Sequence, residues 1–222
     1  MNPLSSLYGA AVSARNALYD NGTLPARRLA GPVVSIGNLS VGGAGKTPFL
    51  LLLGQFLKER GVAFDVLSRG YGRSSKGVRL VDPGGLAHEF GDEPLLLARR
   101  LEVPVVVGER RLAAGWLAEA QFGARLHLLD DGFQHRALAR DFDIVLVTPE
   151  DARDRLLPAG RLREPVGALQ RADAVVLTAG AAPESFPLDG KLVWRVRRGI
   201  LPRNVPPSPV AFCGLARPQS FF

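Results

Sequence analysis

Cysteine is almost absent from this chain: Cys213 is the only one in 222 residues. A single thiol excludes any intramolecular disulfide and fits a reducing compartment. Lysine is scarce as well, confined to Lys46, Lys58, Lys76 and Lys191. The only histidines are His88, His127 and His135, and with one cysteine they make no cluster of zinc-ligand spacing. No G-x-S-x-G run marks a nucleophile elbow, and no N-K-x-D run marks a guanine-reading NTPase. No apolar stretch approaches the roughly 20 residues needed to cross a bilayer. The segment Met1 to Gly22 lacks a basic start and an unbroken apolar run, which argues against a secretory signal and leads to the expectation of a protein kept in the cytoplasm. Internal repeats and low-complexity tracts are missing too.

What is present describes a globular protein. The hydrophobic fraction of 46% is enough for a sizeable core. At roughly 150 residues per domain, the length allows one domain and part of a second. The net charge is +7, carried mostly by arginine. Such a surplus attracts polyanions, and arginine suits bidentate phosphate contacts, although charge alone does not choose among nucleic acid, anionic lipid and a phosphorylated substrate. No interleaving of basic and aromatic residues supports nucleic acid.

Leu4, Leu7, Tyr8, Ala11, Ala14 and Leu18 repeat at helical spacing, and the helix they predict ends near Asn21-Gly22. Its apolar stripe either lies on a membrane or packs on the domain's own core, and periodicity by itself favours the core. From Pro32, short β-branched runs alternate with helical segments. Strands are expected at Val33–Ile36, Phe64–Leu67, Val105–Val107, Leu126–Leu129, Ile144–Val147 and Ala174–Leu177, with helices over Thr47–Arg60 and Arg111–Phe122. That alternation predicts an α/β fold, a mostly parallel sheet with helices on both faces. After Gly180 the texture changes: a linker near Pro183, a strand at Leu192–Val196, a proline-rich joint at Val205–Pro209 and an apolar run at Val210–Cys213. The expected division is a helix in 1–25, a main domain in 26–180, and a linker with the start of a smaller C-terminal lobe in 181–222.

The strongest chemical signal is Ser40-Val41-Gly42-Gly43-Ala44-Gly45-Lys46-Thr47, which follows one expected strand and opens an expected helix. Glycines there let backbone N–H groups turn inward around phosphate oxygens, and the helix N-terminus adds partial positive charge. Lys46 then reaches the β- and γ-phosphates, and the Thr47 hydroxyl ligates Mg²⁺. The first position, usually glycine, is Ser40. A second signal is the strand that ends in Asp130-Asp131, the acidic partner a phosphate loop needs for its metal. A third is Gly91-Asp92-Glu93-Pro94. Asp92 there is either an acceptor for a hydroxyl proton or the N-cap of a helix, and composition favours the cap. Arg69, Arg73, Arg110, Arg161 and Arg163 sit in glycine- or proline-rich loops where an arginine can meet a transferring phosphoryl group.

Taken together and in order, these motifs resemble the tetraacyldisaccharide 4'-kinase (lipid A 4'-kinase) family. The resemblance runs through Arg15-Asn16-Ala17-Leu18-Tyr19-Asp20, the phosphate loop with Ser40 in first place, Ser68-Arg69-Gly70-Tyr71-Gly72-Arg73, Gly91-Asp92-Glu93-Pro94, Asp130-Asp131-Gly132-Phe133-Gln134-His135 and Leu157-Pro158-Ala159-Gly160-Arg161-Leu162-Arg163-Glu164-Pro165. It implies a P-loop fold and transfer of the ATP γ-phosphate to the 4'-hydroxyl of tetraacyldisaccharide 1-phosphate. It implies that Ser40 to Thr47 hold the nucleotide, that Asp92 assists deprotonation, and that Arg110 and Arg163 contact phosphates. Thr47, Asp130, Asp131 and Glu164 serve the Mg²⁺ site in that reading. The N-terminal helix then meets the cytoplasmic face of the inner membrane, and no obligate protein partner is implied. Members of the family continue into a longer C-terminal lobe bearing an Asp-His-His-type motif that this chain lacks. The alternative expectation is therefore a nucleotide-binding remnant with little turnover.

Overall fold

A computed structural model describes residues 3–197 and 199. The expected joint at Val205–Pro209 and the apolar run at Val210–Cys213 lie outside the described residues.

Eight strands form one sheet. In chain order they are β1 (Val33–Asn38), β2 (Phe64–Ser68), β3 (Arg79–Leu80), β4 (Val105–Val107), β5 (Leu126–Asp130), β6 (Phe142–Val147), β7 (Ala174–Leu177) and β8 (Leu192–Arg195). Their spatial order is β3-β4-β2-β5-β1-β6-β7-β8. Every pairing is parallel except β3 with β4. The helices are α1 (Pro3–Asp20), α2 (Lys46–Glu59), α3 (Ala87–Phe90), α4 (Asp92–Leu101) and α5 (Arg111–Phe122). The doubly covered α/β fold expected from the alternation is the one observed.

The apolar runs are continuous because both faces of each central strand are covered. Ile36, Val66, Leu128, Ile144 and Val176 point to one face, where they meet Phe49 and Leu50 of α2 and Leu97 and Leu101 of α4. Leu67, Val106 and Leu129 point to the other, against Ala114 and Ala118 of α5. On that second face Val145, Val147, Val175 and Leu177 pack with Phe133, Leu162 and Leu169. Glycine in the first-named layer permits close approach: a Cβ on Gly54 would fall 2.8 Å from Leu101.

Three features differ from expectation. The short elements β3 and α3 were not legible, being too brief to carry a period. The change of texture at Gly180 is not a break in the sheet, since β8 pairs with β7 and Phe186 is buried in the same core. And α1 buries none of its residues. It lies on the main domain by a face of half-buried Ser5, Tyr8, Val12, Asn16 and Tyr19: Ser5 Oγ donates to Leu156 O (3.0 Å), Tyr8 OH to Arg163 O (3.0 Å) and Asn16 Nδ2 to Glu164 Oε2 (2.7 Å). Tyr8 thus belongs to the docked face and not to the apolar stripe, while Leu4, Leu7 and Leu18 of that stripe remain exposed. The helix ends as expected, at Asp20, just before Asn21 and Gly22 (φ 76°).

Candidate active site

Parallel topology fixes where the site falls. Chain leaving β1 crosses to β2, chain leaving β5 crosses the other way to β6, and β1 and β5 are neighbours. The crevice that opens between them at their C-terminal ends is where ligands bind in sheets of this kind. Ile36 lies beside Asp130 in that register, so the glycine loop after Asn38 and the acids that end β5 emerge side by side.

The loop itself is shaped for an anion. Gly42 (φ 105°) and Gly45 (φ 83°) take left-handed conformations that other residues resist. A Cβ on Gly42, Gly43 or Gly45 would meet nothing within 4 Å, so the loop faces open space at the N-terminus of α2. Its outer side is anchored, with Val41 N donating to Arg161 O (2.8 Å) and Ser40 bridged to Leu162. Lys46 and Thr47 open the helix and are half-buried, Val41 is exposed and Ala44 is buried.

Beside this loop lies a polar cluster. Lys46 Nζ donates to Asn38 Oδ1 (2.8 Å) and pairs with Asp131 Oδ1 (3.3 Å). Arg163 grips Asp131 with both terminal nitrogens, Nη1 to Oδ2 (2.9 Å) and Nη2 to Oδ1 (2.8 Å). Asp131 sits at φ 50°, a backbone state that a side chain normally avoids, and that grip holds it there. The turn fits against β1 because residue 37 is glycine: a Cβ there would lie 2.5 Å from Phe133 Cβ. Asp130 is buried and accepts from Ser68 Oγ at the end of β2 (2.9 Å).

The two acids are tuned apart. Burial pushes Asp130 up to about 6, helped by the charges of Glu93 and Asp131 and opposed by Ser68 and Lys46. Burial also pushes on Asp131, but Arg163 and Lys46 outweigh it and hold that carboxyl down to about 2. His135, after the same turn, is driven down to about 4 by burial and by Arg111, Arg140, Arg15 and Arg69. It is neutral at physiological pH and is not a carboxylate partner among the contacts described.

The other expected site residues are distributed unevenly. Asp92 is not a helix cap. Gly91, at φ 93°, occupies the cap position and Asp92 is the first residue of α4 and exposed. Its neighbour Gly91 lies against Tyr71 O, so α4 starts beside the loop that leaves β2. Arg110 is exposed at the start of α5, whereas Arg111 is buried and its charge acts on both Asp130 and Asp131. Glu164 has its carboxylate occupied by Arg171 (3.0 Å) and Asn16 (2.7 Å), so it does not stand open toward a metal. Arg73 pairs with Glu109 and Arg161 with Asp154. Asn38, Arg111, Ser68 and Glu93 were not singled out by the residue-level reading. The end-of-strand position of Asn38 and Ser68 is the signal that marks them, because parallel strands aim their last residues into one crevice.

A phosphate-shaped glycine loop, a lysine at its exit and a tuned acid pair on the adjacent strand are what a P-loop nucleotide-binding phosphotransferase requires. Comparison with known proteins narrows that class. The family model for tetraacyldisaccharide-1-P 4'-kinase matches residues 1–222, so the chain belongs to that family. It is 57% identical to the tetraacyldisaccharide 4'-kinase of Koribacter versatilis, over all of this chain and 72% of that protein. It is 49% identical to the one from Aquifex aeolicus over 79% of this chain, spanning 57% of that relative. Among solved structures it resembles LpxK from Aquifex aeolicus in complex with ATP, with TM-score 0.79, 45% identity, and coverage of 87% of this chain and 62% of that one.

Proposed function

We propose that this chain transfers the γ-phosphate of ATP to the 4'-hydroxyl of a tetraacylated glucosamine disaccharide 1-phosphate, the reaction named for its relatives. The observation that carries this reading is the open glycine loop set against Lys46, Arg163 and the paired acids at the C-terminal ends of β1 and β5, in a chain that belongs to a kinase family.

Backbone N–H groups of Gly42 to Lys46 receive the phosphates, and Lys46 and Arg163 turn from Asp131 toward them. Arg111 adds positive charge from below. Asp92, exposed at the start of α4, accepts or orients the proton of the sugar hydroxyl. Among the described residues no group of three or more acids, histidines or cysteines forms a metal cage. That fits Mg²⁺, which keeps most of its shell as water and phosphate oxygen and needs only one or two protein ligands. Thr47 and Asp130 would hold it, at the start of α2 and the end of β5. When bound, the ion neutralises charge on the transferred phosphoryl group.

No helix among the described residues is long and apolar enough to cross a membrane. The exposed stripe of α1 and the net charge of +7 support a peripheral position on an anionic lipid surface, where an acylated substrate resides.

The test is transfer of labelled γ-phosphate from ATP to tetraacyldisaccharide 1-phosphate in detergent micelles. Lys46→Ala and Asp92→Ala are each expected to lower the rate by at least about a hundredfold. Binding of ATP without transfer would replace this reading with that of a nucleotide-binding remnant.

A further inference from the structure

Asn38 is the last residue of β1 and is wholly buried, yet its amide does not serve the sheet. Nδ2 donates to Ser40 O (2.7 Å), which fixes the orientation of the group. Oδ1 is thereby presented to two cations at once, Lys46 Nζ at 2.8 Å and Arg163 Nη2 at 2.5 Å. The backbone carbonyl of the same residue accepts from Gln134 Nε2 (3.0 Å), tying the β5–β6 turn to the same point.

We propose that Asn38 is a positioning residue, a neutral bracket that holds Lys46 and Arg163 side by side at the phosphate loop before nucleotide arrives. This rests on the reading of the loop as an ATP site. Like charges this close repel, and each needs an acceptor. Among the described residues, Asp131 supplies the only formal negative charge that touches both cations. A carboxylate at position 38 would complete the neutralisation and would compete with phosphate for the same donors. An amide gives the acceptor without the charge, so Lys46, Arg163 and Asp131 together keep one positive charge in surplus for the incoming anion. The side chain also has the right reach, because β1 ends where the glycine loop begins.

The experiment is titration of the full chain with ATP and with ADP at fixed Mg²⁺, using Asn38→Asp, Asn38→Ala and Asn38→Ser. Lys46 and Arg163 act at the terminal phosphates in this reading, so ATP is expected to suffer more than ADP. Asn38→Asp, which preserves shape, is expected to weaken ATP about tenfold, in line with hydrogen bonds between charged partners. Asn38→Ala is expected to weaken it less, and Asn38→Ser, which keeps a neutral oxygen, to recover part of the loss. The proposal is overturned if Asn38→Asp binds ATP as tightly as the parent. It is overturned equally if all variants lose ATP and ADP in the same ratio, which would mark a structural role only. A parent chain that binds neither nucleotide would instead sink the ATP reading itself.

Discussion

Asp130 and Asp131 are adjacent and chemically identical, and the fold drives their protonation in opposite directions. Asp130 is raised to about 6, so the folded protein holds its proton more tightly than the unfolded chain does. The stability this contributes is present below about pH 4 and is lost as pH rises through 6. At neutral pH the nucleotide-free protein therefore carries an ionised, buried carboxylate at a cost of about 3 kcal/mol at most. Asp130→Asn is expected to raise the melting temperature at pH 7.5 and to leave it nearly unchanged at about pH 4, while abolishing Mg²⁺-dependent ATP binding. Melting curves at the two pH values check the sign. Asp131 behaves in the opposite sense: lowered to about 2 by Arg163 and Lys46, its contribution is present above pH 4 and fades as pH falls through 2. Both acids were legible in the sequence as a pair, because a strand ending in acid after a glycine loop is a specific pattern. Their division of labour was not, because it depends on Ser68, Glu93 and Arg163, which come from three other segments.

Among the elements, α1 is the one whose two faces have been exchanged relative to its sequence pattern. The helical period correctly placed its start and end. The apolar stripe did not become the buried face, since Tyr8, Asn16 and Ser5 dock by hydrogen bonds while Leu7 and Leu18 stay outside. Gly9 allows this approach, as a Cβ there would meet Leu156 at 2.8 Å. Two separable outcomes are expected. Tyr8→Phe combined with Asn16→Ala removes two docking bonds, each worth about 1 kcal/mol, and is expected to speed tryptic release of the N-terminal segment severalfold. Leu7→Glu with Leu18→Glu leaves the docked face intact and is expected to abolish sedimentation with phosphatidylglycerol vesicles without changing the melting temperature. Loss of vesicle binding in the first variant alone would reverse the assignment of the two faces. The short elements β3 and α3 were unreadable for a different reason: four residues or fewer cannot show a period, and β3 exists only because β4 is beside it.

Across the whole molecule, the sheet separates chemistry from stability. The site gathers at the C-terminal ends of the strands. Toward the other end lies a second charged cluster, with buried His127 Nδ1 2.8 Å from Asp65 Oδ1 and Nε2 3.3 Å from Glu119 Oε1. Glu119 also accepts from Gly31 N (2.8 Å), so the cluster joins β2, β5, α5 and the chain entering β1. His127→Ala removes the buried ring that bridges Asp65 and Glu119, leaves their carboxylates short of a hydrogen-bond partner, and is expected to destabilise the protein by about 1–3 kcal/mol. ATP affinity, measured on the folded fraction below its melting point, is expected to stay within about twofold of the parent. A large loss of affinity would mean that the two ends of the sheet are coupled.

The amino-acid sequence by itself determined the fold class, the six inner strands and the edge strand β8, the phosphate loop and the acid pair. Each of these is written locally, as a period, a run of β-branched residues or a fixed spacing of glycine, lysine and threonine. Tertiary structure alone decided that Arg111 is buried where its charge acts on the acids, that Glu164 is taken by Arg171 and Asn16, that Asp92 begins its helix without capping it, and that Asn38 brackets two cations. Those are matters of which distant residues share a crevice, and the strand order that creates the crevice is set by burial of the whole sheet, not by any segment within it.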